Sequence, residues 1–281
     1  MKPALNLSRI LDRYSAIFCD VWGVIRDGHA LLPDAIEALQ QARSAGRPVV
    51  LVSNSPRPSS DLARQLDLMG APGDAWDGIV TSGDATRLAL AEKSPGPFFK
   101  IGPPGGDDRL YDGLEIEFSD TEAARAIVCT GLVGTLGDHP DDYRDLFEAL
   151  VARGLPMVCA NPDIVVQVGD ELVWCAGALA RLYREMGGAC VIAGKPHKPI
   201  YELAYLRLGQ AGWSADRDSV LAIGDGPETD LAGASRMGLD ALFIGDGILG
   251  RDMGSMETDA VSAILSEYNA EAAWFAPRLI W

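Results

Sequence analysis

Four places in this 281-residue chain carry residue types that could do chemistry together. Asp20 closes an apolar run in FCDVWGVIRDG (residues 18–28). An acid at that point is either exposed for reaction or capping a turn. Ser53 and Asn54 end a second apolar run, followed by Ser55 and Pro56. Their hydroxyl and amide donors can hold an oxyanion, and the same residues also make an ordinary turn. Lys195 stands between glycine and proline in GKPHKPIYE (residues 194–202), so the backbone is restrained while the ammonium projects. It reads equally as a solvated loop lysine. Asp225 and Asp230 lie five residues apart in GDGPETDLAGA (residues 224–234). Two carboxylates cannot neutralise each other, and a hard cation with oxygen ligands is their natural partner. Mg²⁺ with retained waters fits best. Asp230 also suits a helix start, where the dipole favours an acid.

The elements that must position these residues are legible as short apolar runs at 16–20, 48–53, 126–130, 156–160, 190–193, 219–223 and 240–244. Helix-period segments lie between them. Pro33 suits a first turn, Ile36, Leu39 and Ala42 follow, and Gly46 can end that helix. Leu62, Leu66 and Met69 line the next one, and Leu179, Leu182, Tyr183 and Met186 a later one; these stripes read as core. Apolar runs without alternation, separated by helices, predict a doubly wound parallel α/β sheet covered on both faces. In such a sheet ligands bind beyond the carboxyl ends of the strands, where the polar residues above fall. The segment GPPGGDD (residues 102–108) reads as a loop; no P-loop lysine or helix start follows it.

Charge narrows the partners. Lys and Arg total 24 against 40 Asp and Glu, a net charge of −16, which argues against nucleic acid or an anionic membrane. The five cysteines lie apart with no C-x-x-C pair, and reduced, buried thiols are expected. Without a signal-like segment or a run of the ~20 apolar residues needed to span a bilayer, a cytoplasmic protein is expected. His29, His139 and His197 lack zinc-site spacing, and no G-x-S-x-G elbow or dinucleotide fingerprint occurs. The glycine-rich stretch 130–140 reads as a surface turn that could touch substrate. The aromatic segment 268–281 could pack on its own core or cover a partner in a homo-oligomer.

In order, a strand-end Asp, a strand-end Ser with Asn, a Lys before a strand and an acidic pair after it resemble the four motifs of the haloacid-dehalogenase superfamily. The match runs through both ends of the chain. The ~140 residues between Ser53 and Lys195 are similar to a large inserted cap domain, and TSGDAT (81–86), ANPD (160–163), GALARLY (177–183) and GKP (194–196) resemble its class IIA subgroup of sugar- and nucleotide-phosphate phosphatases. The resemblance implies a Rossmann-like core at residues 1–81 and 188–281, interrupted by an α/β cap at 82–187. It implies that Asp20 attacks phosphorus, that Mg²⁺ is held by Asp20, the Trp22 carbonyl and Asp225 with Asp230 ordering its waters, and that Ser53, Asn54 and Lys195 bind the phosphoryl oxygens of a small phosphorylated metabolite. The departure is Trp22. Phosphatases of this family carry a second aspartate there as acid and base, and an indole cannot exchange a proton at neutral pH. Asp27 could reach in from the adjoining loop. Three readings follow: a phosphatase with altered acid/base chemistry, suited to acyl or aryl phosphates; a dehalogenase-like hydrolase; or a non-catalytic phosphometabolite-binding protein.

Overall fold

A computed structural model describes residues 1–4, 6–134, 138–168, 171–214, 216–249 and 256–281. Its strands are β1 (Lys2–Pro3), β2 (Ala16–Cys19), β3 (Val49–Ser53), β4 (Gly78–Thr81), β5 (Phe98–Ile101), β6 (Ala126–Cys129), β7 (Met157–Cys159), β8 (Val165–Val168), β9 (Glu171–Trp174), β10 (Cys190–Ile192), β11 (Val220–Gly224), β12 (Asp240–Ile244) and β13 (Trp274–Ala276). The principal helices are α1 (Pro33–Ser44), α2 (Ser59–Leu68), α3 (Ser82–Ala91), α4 (Arg144–Ala152), α5 (Ala176–Glu185), α6 (Lys198–Gln210), α7 (Ala232–Met237) and α8 (Thr258–Glu267). None is long and apolar enough to cross a membrane.

The chain divides into two compact units: Met1–Ser53, Ala63–Val80 and Lys195–Trp281 form the first, Asn54–Leu62 and Thr81–Gly194 the second. The first is built on a seven-stranded sheet of order β1-β13-β12-β11-β2-β3-β4. The pairs β1–β13, β13–β12, β12–β11, β11–β2 and β2–β3 are all parallel. Every residue of β2, β3 and β11 is buried, which is why these runs lack alternation. Phe18, Val50 and Phe243 pack with Ile200 and Tyr201 of α6, with Leu231 just before α7, and with Val261 and Leu265 of α8. Pro33 opens α1, which buries Ile36, Leu39 and Ala42.

The second unit has its own parallel sheet, β10-β7-β6-β5, and an antiparallel hairpin β8–β9. Phe147, Leu150, Leu179 and Tyr183 from α4 and α5 fill one core with Ile127, Cys129 and Met157. The runs at 126–130, 156–160 and 190–193 therefore belong to this smaller sheet. The sequence boundary at 187/188 differs from this division, because Cys190–Ile192 pairs with Met157–Cys159. Residues 54–59 join the second unit because Gly83 N–H donates to the Ser55 carbonyl and Asp84 accepts from Ser59 N–H. Asp84 also completes a capping box with Thr81, so TSGDAT is the start of α3.

All five cysteines are free, and all but Cys190 are buried. The carboxyl-terminal aromatics pack on the chain itself: β13 lies between β1 and β12, Phe275 is buried, and Trp274 Nε1 donates to Tyr14 Oη at 2.7 Å. Of the stretch 130–140, residues 135–137 lie outside the described residues.

One ion pair ties α1 to the sheet. Arg43 donates from Nε and Nη2 to Asp77 at 2.9 and 2.7 Å, and Val49 N–H donates to Asp77 Oδ2 at 2.8 Å. Burial pushes the Asp77 carboxyl up, but these donors outweigh it and hold the group below its usual range. A lowered folded value means the stabilisation is present above the unfolded value of ~3.9 and is lost as pH falls through the folded one. Asp77→Ala is expected to cost about 1–3 kcal/mol at neutral pH by stranding the Val49 N–H and Arg43. Urea melts at pH 7 and pH 3 check this: the gap between variant and native chain should narrow at low pH, and an equal gap at both would contradict the assignment.

Candidate active site

Two adjacent parallel strands end side by side. β2 pairs with β11 so that Cys19 lies opposite Ile223, and the residue after each strand is an aspartate, Asp20 and Asp225. Asp20 N–H donates to the Ile223 carbonyl at 2.8 Å, which locks the crossing point. Asp230 follows on the turn Pro227–Leu231 that leads into α7. Asp20, Asp225 and Asp230 each offer one carboxylate oxygen, these three atoms lie within 4.8 Å of one another, and all three residues are buried.

Lys195 enters this cluster from the first residue of the chain's return to the first unit. Its Nζ donates to Asp20 Oδ1 at 2.6 Å and to Asp230 Oδ1 at 2.8 Å. Asp230 Oδ2 also accepts from Gly226 N–H at 3.1 Å, and Asp225 Oδ2 from Ile248 N–H at 2.6 Å. Burial, then the neighbouring charges of Asp230 and Asp225, hold the Asp20 carboxyl well above its ordinary range, with Lys195 pulling the other way. Burial alone would lower Lys195, but Asp20 and Asp230 reverse this and keep it cationic. Three clustered carboxylates, two of them bridged by one buried ammonium, form an oxygen-rich donor set that fits a hard divalent cation.

The backbone comes close to this set because two glycines allow it. A Cβ on Gly23 would fall 2.0 Å from Asp225 Oδ2, and one on Gly247 would fall 2.2 Å from the same atom. Gly23 also holds φ at +76°, where L side chains are disfavoured.

The other residues singled out from sequence divide. Ser53 is buried at the end of β3, beside β2. Asn54 belongs to the second unit, where its Nδ2 donates to Asp163 Oδ1 at 2.7 Å. Trp22 is half-buried in the turn after Asp20. Asp27 is exposed and accepts from His29 and Ala30 N–H, both at 2.7 Å, so it acts as a turn acid. Those two N–H groups hold its carboxyl below the usual range. Sequence reasoning missed Arg26, whose guanidinium carbon lies 4.4 Å from the centroid of the Trp22 ring. The available signal was an arginine directly after the apolar pair Val24-Ile25. Gly247, in a second G-D-G directly after β12, was also missed.

Two family models match the chain: a haloacid dehalogenase-like hydrolase over residues 17–113 and a HAD-hydrolase-like model over residues 192–268. A solved hydrolase of the haloacid dehalogenase-like family from Brucella suis 1330 is 43% identical, covers 99% of this chain and all of its own, and superposes with a TM-score of 0.87. The ribonucleotide monophosphatase NagD of Escherichia coli K12 is 25% identical over 84% of this chain and 89% of its own length. An acid sugar phosphatase of Staphylococcus saprophyticus is 26% identical over 85% and 89%.

Cation binding is directly measurable on the folded protein. Millimolar Mg²⁺ or Mn²⁺ should raise the melting temperature, with stabilisation of about 2.7 kcal/mol at a hundredfold excess over Kd. Asp225→Asn should melt at or above the native chain without the ion, since one of three repelling carboxylates is gone, yet lose the ion-induced rise. An equal rise in native and variant chains would exclude this cluster as the cation site.

Proposed function

The chain belongs to the haloacid-dehalogenase-like hydrolases, and on that premise we propose that it is a divalent-cation-dependent phosphohydrolase acting on small phosphorylated metabolites. The observation that carries the reading is the buried set of Asp20, Asp225 and Asp230 around Lys195. The phosphatase names of two relatives that span most of this chain support it.

In this mechanism Asp20 is the nucleophile. Lys195 engages its Oδ1, which leaves Oδ2 to attack phosphorus and form an aspartyl-phosphate. Asp20, Asp225 and the carbonyl of Trp22 would hold the cation, with Asp230 beside them fixing Lys195. When bound, Mg²⁺ neutralises charge on the phosphoryl group and aligns it for in-line displacement. Lys195, Ser53 and Asn54 bind the non-bridging oxygens. Burial makes these charges effective, because the donors are oriented before substrate arrives and act in a dry environment. The second unit is the inserted cap of this scheme and sets substrate choice.

Trp22 limits the chemistry. Its indole stands two residues past the nucleophile and cannot exchange a proton at neutral pH. General acid help is worth ~10²–10⁴-fold for leaving groups that need it. Acyl and aryl phosphates, whose leaving groups depart without a proton, are therefore the best substrates. The same residue supports a second reading, a protein that keeps the pocket to bind a phosphometabolite without turning it over.

Phosphate release from acetyl phosphate, p-nitrophenyl phosphate and a sugar phosphate separates the two. The expected pattern is Mg²⁺-dependent release from the first two, abolished in Asp20→Asn, with Trp22→Asp raising sugar-phosphate turnover by about 10²-fold. No release by the native chain from any of the three, with activity gained in Trp22→Asp, would favour the binding protein.

A further inference from the structure

The carboxyl-terminal segment is built into the large sheet, with β13 between β1 and β12. Leu242, Phe243 and Ile244 of β12 lie opposite Trp274, Phe275 and Ala276. The pairing runs on past the end of both strands. Gly245 N–H donates to the Ala276 carbonyl at 2.9 Å, and Asp246 N–H to the Pro277 carbonyl at 2.7 Å. Further on, Leu279 is buried, and the Ile280 carbonyl accepts from Leu7 N–H at 2.8 Å. The loop at residues 245–248 therefore leaves β12 hung on a segment that is itself anchored in the core.

The other end of that loop meets Asp225. Ile248 N–H donates to Asp225 Oδ2 at 2.6 Å, a charge-assisted hydrogen bond. A Cβ on Gly247 would lie 2.2 Å from Asp225 Oδ2, 2.3 Å from its Cβ and 2.6 Å from its Cγ. The main chain thus lies against the whole length of the side chain. Gly23 has a left-handed φ, but Gly247 does not, so its backbone would accept an L residue. The space beside Asp225 is what calls for glycine there. With an N–H on one oxygen and bare main chain along its stem, Asp225 is held in one orientation.

We propose that Gly247 and Ile248 are positioning residues for the divalent cation. The loop they form, hung on the carboxyl-terminal segment, holds Asp225 in the orientation in which it meets the ion beside Asp20, and so sets the affinity for that ion. The inference rests on the three acids being a cation site. Both residues act through Asp225, and the carboxyl-terminal segment acts through them. Outer hydrogen bonds that orient a metal ligand are worth about 10–100-fold in affinity.

The test titrates Mg²⁺ against the full chain and reads two quantities. One is the dissociation constant from calorimetry on the protein alone, the other the Mg²⁺ concentration that half-saturates phosphate release from acetyl phosphate. Gly247→Ala presses a methyl group onto Asp225, and Ile248→Pro removes the N–H. Each should raise both quantities by about 10–100-fold. Saturating Mg²⁺ should bring release back towards the native rate, since Asp20 and Lys195 are intact. Leu279→Ala loosens the segment that carries the loop and should raise both by a smaller factor. It carries the comparison should the loop variants fail to fold. Asp77→Ala, destabilised where β3 begins, should keep the native values and so separates affinity from stability. Native values in all three of the first variants would overturn the role of the loop and leave the cation site standing. An equal rise in Asp77→Ala would overturn it too, because general loosening would then suffice. No Mg²⁺ binding by the native chain would instead defeat the cation site, and the inference with it.

Discussion

Everything at the head of the large sheet answers to one electrostatic problem, the burial of three carboxylates within 4.8 Å of one another. Removing such charges from water costs several kcal/mol each unless they are paired and hydrogen-bonded. The fold meets that cost with few parts. Lys195 bridges Asp20 and Asp230, the N–H groups of Gly226 and Ile248 meet Asp230 and Asp225, and two glycines let the main chain close over Asp225. The parallel register of β2 and β11 puts two of the acids side by side, and a tight turn before α7 returns the third. A fold would not keep this repulsion for stability alone. It is the arrangement expected where a cation and a phosphoryl group complete the charge balance.

The residue two positions past Asp20 bears on that balance. A carboxyl group at position 22 would add a fourth acid and a proton shuttle. An indole adds neither, and it carries a guanidinium on its face. An alkoxide leaving group would find no proton donor at this position. The turn between Val21 and Arg26 is short and closed by its own hydrogen bonds, so the pair is held rigidly.

Much of this was legible in the sequence, for identifiable reasons. Buried parallel strands must be continuous apolar runs, so seven of them stood out, and the polar residue ending each was the natural place for chemistry. That reasoning pointed to Asp20, Ser53 and Asp225, and the motifs around them to Lys195 and Asp230; of these the fold brings Asp20, Lys195, Asp225 and Asp230 together. The strands Gly78–Thr81 and Phe98–Ile101 were missed because four-residue runs flanked by helix or by prolines carry too little pattern. Trp274–Ala276 was missed because an aromatic tail reads equally well as a loop. Two features were beyond reach. The assignment of Asn54 and of Cys190–Ile192 to the second unit depends on pairing with residues far away in sequence, Asp163 and Met157–Cys159. The stacking of Arg26 on Trp22 depends on how the turn between them closes, and a sequence shows only that the two are near neighbours.

The most direct test of the central claim is to look for the covalent intermediate. The native chain, mixed with excess acetyl phosphate and Mg²⁺ and quenched in acid within a turnover, should gain the mass of one phosphoryl group, mapped by peptide mass spectrometry to Asp20. The gain should vanish without Mg²⁺ and in Asp20→Asn. Phosphate release without any phosphoryl group on Asp20, or with one mapped elsewhere, would contradict the account.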